Sequence, residues 1–268
     1  MGGRPRRERQ PQGADRGVVR ILALSLALLA APAWAQSPRS GLEFQGEDIR
    51  RLQGDDFANP AMLWVERGAA AWQRKQGAAN TSCADCHGAV EQSMRGAAAR
   101  LPAWDARQGR VSTLEGRITA CVTREQRAAE PAPESEDLVG LLALVSLQSR
   151  GMPLRVGIDG PARAVFEHGR ALYAQRIGQM NLACTHCHDR QAGKTLLSEK
   201  ISQGQPTAWP ADRMEWQAAG TLERRLRACF LGVRAEMPNY RDDDLVALQL
   251  YLAWRAQGLP LEAPGVRR

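Results

Sequence analysis

Cys83-Ala-Asp-Cys86-His87 and Cys184-Thr-His-Cys187-His188 write the pattern C-x-x-C-H twice in one chain. The two thiols of such a motif can form thioether bonds to the vinyl groups of a haem, and the adjoining histidine can ligate the iron from one side. Four of the six cysteines are accounted for in this way. A zinc site drawn from the same pairs would have to be shared between the motifs and would leave the other two cysteines unexplained. The motifs therefore predict two covalently bound haem c groups, attached through Cys83, Cys86, Cys184 and Cys187. His87 and His188 are the expected axial ligands on one side.

The sequence around the motifs repeats as well. The run from Glu66 to Cys83 aligns without a gap on the run from Glu167 to Cys184, matching Gly68 with Gly169, Trp72 with Tyr173, Gly77 with Gly178 and Asn80 with Asn181. Thr113-Leu-Glu-Gly-Arg-Ile-Thr-Ala-Cys121 matches Thr221-Leu-Glu-Arg-Arg-Leu-Arg-Ala-Cys229, and residues 137–153 match 244–260. Each unit reads as helix, haem motif, connector, short helix with one further cysteine, and final helix. Leu138, Leu141, Leu142 and Val145, like Leu245, Leu248 and Leu252, recur at helical spacing and give each final helix an apolar face. Gly151 and Gly258, each followed by a proline two positions on, are expected at the helix C′ positions. Asp137 and Asp244 suit the positive end of the helix dipole.

This order resembles the class I cytochrome c fold, whose first and last helices cross near the haem. The expected architecture is mainly α-helical, with two tandem class I cytochrome c-like domains, 60–152 and 153–268, related by internal duplication. Residues 36–59 have no clear period and are expected as an N-terminal extension, and 151–161 as a linker. Gly68 and Gly169 suit a close helix crossing, with Trp72 and Tyr173 in the core beside it.

Residues 1–35 read as a secretory signal. Six arginines (Arg4, Arg6, Arg7, Arg9, Arg16 and Arg20) precede the apolar run Ile21 to Ala31, and Ala33-Trp34-Ala35 follows as an A-x-A site, with cleavage expected between Ala35 and Gln36. The run is shorter than the roughly 20 residues that span a bilayer. Export to the periplasm fits c-type haem, which is attached to reduced thiols outside the bacterial cytoplasm. Much of the formal charge of +7 lies in this segment. The remaining basic residues alternate with acidic ones, and no recognition motif appears, which argues against nucleic-acid binding.

The remaining thiols decide what the haems do. Many class I cytochromes place a methionine before the last helix as the sixth ligand, and Met237-Pro238 stands there in the second unit. In the first unit the corresponding pair is Glu130-Pro131. A ligation scheme common to both units points to Cys121 and Cys229. Thiolate ligation favours low reduction potentials, whereas methionine raises them. The alternatives are Met237 for the second iron, a Cys121–Cys229 disulfide, which export permits, and His168 or His186, which read as surface or supporting residues.

Two C-x-x-C-H units, each followed by Arg-x-x-x-Cys (Arg117 to Cys121, Arg225 to Cys229), are similar to the dihaem A subunit of the Sox sulfur-oxidation cytochrome complex, the L-cysteine S-thiosulfotransferase family. The resemblance covers nearly the whole chain beyond the signal. It is most specific over Arg224-Arg-Leu-Arg-Ala-Cys229 and Val233-Arg234-Ala-Glu236. It implies that Cys229 is both haem ligand and catalytic thiol, carried as a persulfide, and that Arg225 binds substrate. It also implies a monohaem partner, Sox X, a carrier protein, Sox YZ, thiosulfate as substrate and a periplasmic electron acceptor. On a helix, Arg225 and Cys229 share one face at i and i+4. Thiosulfate is a small dianion, which Arg225 with Arg224, Arg227 or Arg234 would offset. A reading from a different class is a dihaem periplasmic electron carrier that makes no bonds.

Overall fold

Two helix crossings carry the architecture, and both depend on a missing side chain. In the computed structural model, which describes residues 1–3 and 37–268, α2 (Met62–Gln73) packs along α6 (Glu136–Leu147), and α7 (Ala162–Ala174) along α10 (Asp243–Arg255). A Cβ on Gly68 would overlap the carbonyl oxygen of Gly140, and one on Gly169 that of Ala247. Only glycine lets the backbones approach so closely. Trp72 and Tyr173 are buried beside the crossings. The signal segment expected over 1–35 lies outside the described residues, apart from the first three.

Between the crossed helices each half follows one order. In the first lobe come α3 (Cys83–His87), α4 (Val90–Ser93), a hairpin of β1 (Ala103–Asp105) and β2 (Arg110–Ser112), and α5 (Leu114–Arg124). In the second come α8 (Cys184–His188), a small hairpin of β3 (Thr195–Leu196) and β4 (Glu199–Lys200), a hairpin of β5 (Ala211–Arg213) and β6 (Ala218–Gly220), and α9 (Leu222–Gly232). The hairpins lead directly into Thr113 and Thr221. Each threonine caps its helix by accepting a backbone N–H three residues on, at 3.0 Å from Gly116 and 3.2 Å from Arg224. The sequence pattern pointed to helices alone, because strands of two or three residues are too short to show an alternation.

The haem-motif loops are fastened to the turns after α5 and α9. Gly77 and Gly178 have φ of +68° and +67°, and a Cβ on either would strike the backbone at Gln126 or Val233. The next amides reach across, Ala78 N to Arg127 O at 3.2 Å and Gln179 N to Arg234 O at 3.2 Å. Asn80 and Asn181, also at positive φ, complete the turns. The matched glycines and asparagines thus make the same turn in both halves.

Three expectations change in detail. Gly151 and Gly258 do have positive φ, but α6 and α10 end at Leu147 and Arg255, so the glycines sit in the turn beyond the cap. Residues 151–161 do not form a loose linker. Gly151 N donates to Leu261 O at 2.8 Å, Leu154 N to Leu259 O at 2.9 Å and Gly258 N to Leu154 O at 3.0 Å, and Leu154 and Val156 are buried. The tails of the two final helices thus pair with each other, and Pro38–Arg268 form one compact unit. Residues 36–59, which lack a period, contain α1 (Glu47–Gly54), whose Gln53 side chain accepts from Val266 N at 3.0 Å. That bond holds the segment against β7 (Gly265–Arg267), which adds in parallel to β5.

Candidate functional site

Each haem motif occupies a single helical turn that faces the cysteine-bearing helix of its own lobe. In the second lobe, α8 presents Cys184, Cys187 and His188, and α9 presents Cys229. His188 Nδ1 lies 2.8 Å from the Ser202 carbonyl oxygen. Its Nδ1–H therefore donates to that carbonyl, which orients the imidazole as it does for a ligating ring. Gly204, at φ +72°, closes behind the ring, where a Cβ would come within 3.1 Å.

Cys229 is set apart from the other thiols by its surroundings. Burial pushes its thiol up, but a hydrogen bond from His188 and the positive charges of Arg225, His188 and Arg213 outweigh that and bring it down to about 7. Cys184 is pushed up to about 11, first by burial and then by the negative charge that Cys229 and Cys187 would carry. Cys187 is raised by burial and by Cys229. The three thiols and the imidazole thus lie within electrostatic reach of one another.

The first lobe assembles Cys83, Cys86, His87 and Cys121 in the same way, with a different electrostatic outcome. Burial raises Cys83 to about 11, with Cys121 and Cys86 adding to it. Cys121 is also raised, by burial, Cys86 and Glu125. The His87 ring lies 5.8 Å from that of Trp72, whose Nε1 donates to Gly88 O at 3.0 Å. Arg117, four residues before Cys121, is held by Asp105 at 3.0 Å. Among the described residues Arg225, its counterpart before Cys229, makes no ion pair.

The competing assignments are placed elsewhere. All six cysteines are free, and Cys121 and Cys229 belong to separate clusters, so they are not joined. Met237 is 43% exposed rather than turned into the lobe. His168 pairs with Asp244 at 2.6 Å on the surface. His186 Nδ1 accepts the Ala183 amide at 3.0 Å, the capping role that Asp85 plays toward Ser82 at 2.9 Å. Arg224 lies over the Trp216 ring at 4.2 Å, and Arg227 over Tyr240 at 4.2 Å while donating to Pro238 O. Arg234 serves the loop backbone through its carbonyl. Of the arginines nominated beside the thiol, Arg225 is the one among the leading causes that lower Cys229, and Arg213, not nominated, lowers it as well.

The residues fit haem c better than a bare ion. Among the described residues no three His, Cys, Asp or Glu side chains close on one point as a tetrahedral zinc site needs. Each lobe instead offers two thiols and an imidazole on one turn, with a further thiol facing them. Among the described residues no helix is long and apolar enough to cross a membrane.

Comparison with known proteins bears on most of the chain. The family model of the SoxA/TsdA cytochrome c domain matches residues 67–154. The L-cysteine S-thiosulfotransferase subunit SoxA of Rhodovulum sulfidophilum is 38% identical over 229 residues, covering 85% of this chain and 80% of that protein. The subunit of the same name from Paracoccus pantotrophus is 39% identical over 228 residues, covering 85% and 78%. A solved structure, SoxXA from P. pantotrophus, superposes with a TM-score of 0.83 at 38% identity, over 85% of this chain and 86% of that one.

Proposed function

The chain belongs to the SoxA family of L-cysteine S-thiosulfotransferase subunits, and on that premise we propose that its second lobe performs the thiosulfate chemistry at Cys229. It carries a cytochrome c domain, and a cytochrome c domain holds its haem covalently. We read the chain as two such domains arisen by duplication, with one haem c on Cys83 and Cys86 and a second on Cys184 and Cys187. His87 and Cys121 would ligate the iron of the first haem, and His188 and Cys229 that of the second. The observation that carries it is Arg225, which makes no ion pair among the described residues and stands one helical turn before the thiol that faces His188.

The reaction joins the sulfane sulfur of thiosulfate to a cysteine thiol of a carrier protein. One S–H bond breaks, one S–S bond forms, a proton leaves, and two electrons are released. Haem c, when bound, supplies the sink for those electrons. Arg225 holds the dianion by its planar fork of N–H donors. Cys229, carried as a persulfide, is joined oxidatively to the sulfane sulfur with loss of the two electrons, and the carrier thiolate then displaces the persulfide by disulfide exchange, so that one net S–S bond forms. His188, held by Ser202, fixes the opposite side of the site. The first lobe, whose arginine is neutralised, takes a structural or electron-storing role.

The setting that agrees with this chemistry is the periplasm, reached through the signal at residues 1–35. The partners we infer are the monohaem subunit SoxX, named with SoxA in the P. pantotrophus structure, the SoxYZ carrier and a periplasmic electron acceptor. Replacing Cys229 with Met tests the assignment against a plain electron carrier. Thiosulfate-dependent turnover should fall by about three orders of magnitude while the protein still exchanges electrons with a chemical reductant. Unchanged turnover would return the chain to the carrier class.

A further inference from the structure

The two lobes meet through an exchange of matched residues. Pro153 and Pro260, which hold the same place in the sequence repeat, face each other across an antiparallel bridge. Gly151 N donates to Leu261 O at 2.8 Å, and its counterpart Gly258 N to Leu154 O at 3.0 Å. Leu154 N donates to Leu259 O at 2.9 Å, and its counterpart Leu261 N to Met152 O at 2.8 Å. These bonds form image pairs, as contacts do across a two-fold interface.

The same register matches Glu134 with Arg241, and both have positive φ, +59° and +63°, a conformation uncommon outside glycine. Each side chain reaches into the opposite lobe. Arg241 lies 3.4 Å from Glu115 in the first turn of α5, and its Nη2 donates to Pro131 O at 2.7 Å. Glu134 reaches the start of α9, where its carboxylate accepts the Thr221 amide at 3.2 Å and the Thr221 hydroxyl. Thr221 is buried, and its hydroxyl in turn accepts the Arg224 amide at 3.2 Å. In a capping box the N-cap amide is met by a Glu or Gln three residues on. Arg224 holds that position in α9 and has no acceptor to offer. Glu134 supplies the acceptor from the other lobe, and its negative charge suits the positive end of the helix. Without it the buried Thr221 amide loses its partner.

Resting on the reading of Cys229 as the sulfur-bearing thiol, we propose that Glu134 of the first lobe is a positioning residue for the site of the second: it completes the cap of the helix that carries Arg225 and Cys229. Those residues stand about one and two turns beyond Thr221, so the cap fixes where the helix begins and how firmly its first turns hold. The site in the second lobe is then incomplete without the first, which gives a lobe assigned no chemistry a part in the reaction. Arg241, a base, cannot return the same cap to α5.

The test uses the haem-loaded protein with its partner subunit. Glu134→Ala removes both acceptor oxygens, and Glu134→Gln keeps one. Amide hydrogen exchange is followed peptide by peptide by mass spectrometry, kcat/KM for thiosulfate by steady-state turnover, and haem content by visible spectrum. In Glu134→Ala the first turns of α9 are expected to exchange about fivefold faster or more, and kcat/KM to fall about tenfold at unchanged haem content. Helix α6, which begins two residues after Glu134, should keep the exchange rate of the parent. Glu134→Gln should recover most of both effects. Exchange over α9 within about twofold of the parent, or faster exchange spread evenly through both lobes, overturns the proposal. So does a loosened α9 with unchanged kcat/KM. Should Glu134→Ala fail to fold, Glu134→Asp, a methylene too short to reach both donors, decides by the same measurements. A parent inactive with thiosulfate sinks the functional reading, whereas an active parent whose α9 is indifferent to Glu134 sinks the cap alone.

Discussion

At the scale of single residues, the lobes differ in what surrounds two similar thiols. Cys121 and Cys229 occupy matched helices, yet burial prevails at the first and positive neighbours prevail at the second. Arg225 was legible from the Arg-x-x-x-Cys spacing, because i and i+4 on a helix must share a face. Glu134 was not, because its bonds to Thr221 join two lobes that the sequence pattern treats separately. Arg224 and Arg227 could not be sorted from Arg225 by sequence, since stacking on Trp216 and Tyr240 depends on tertiary contacts. Replacing Arg225 with Ala should lower kcat/KM for thiosulfate by about a hundredfold, as loss of one charge-stabilising donor commonly does. Steady-state kinetics read this directly, and an effect under about threefold would assign Arg225 no part in binding.

At the scale of elements, the helices were readable and the strands were not. Leu138, Leu141, Leu142 and Val145 announced α6, and all are buried. The helix is enclosed on more sides than one apolar face suggests, because every residue from Leu138 to Ser146 is buried. The hairpins β1–β2 and β5–β6 are too short for period-two signals, yet each leads directly into the threonine that caps its cysteine helix. The crossings are the most sensitive joints. Gly169→Ala must push Ala247 and Tyr251 aside and should cost about 2 kcal/mol or more, seen as a lower denaturant midpoint without a changed slope. A midpoint within error of the parent would show that the crossing has room to give.

At the scale of the molecule, the lobes share a buried seam that the sequence did not disclose. The matched residues Glu115 and Glu223 lie in it, with Arg241 3.4 Å from Glu115 and Gln249 donating to Glu223 at 3.1 Å. Burial, with Glu223 adding to it, raises the Glu115 carboxyl from 4.5 to about 8 against the pull of Arg241. The folded state then holds a proton that the unfolded chain has released, so stability should fall as pH rises across that interval. Glu115→Gln should flatten the fall, measured as unfolding midpoints at about pH 5 and about pH 8. An equal slope in parent and variant would place the titration elsewhere. The pairing of Gly151, Leu154 and Gly258 with the opposite tail likewise escaped the sequence, because a pattern read within each unit carries no record of contacts between them. The central claim is that one chain carries two haems and a single sulfur-bearing thiol. Peptide mass spectrometry of the purified, haem-loaded protein tests it most directly. The account predicts haem on the Cys83–Cys86 and Cys184–Cys187 peptides, and an additional sulfur on the Cys229 peptide but not on the Cys121 peptide. A motif without haem, or additional sulfur on Cys121 in place of Cys229, would contradict it.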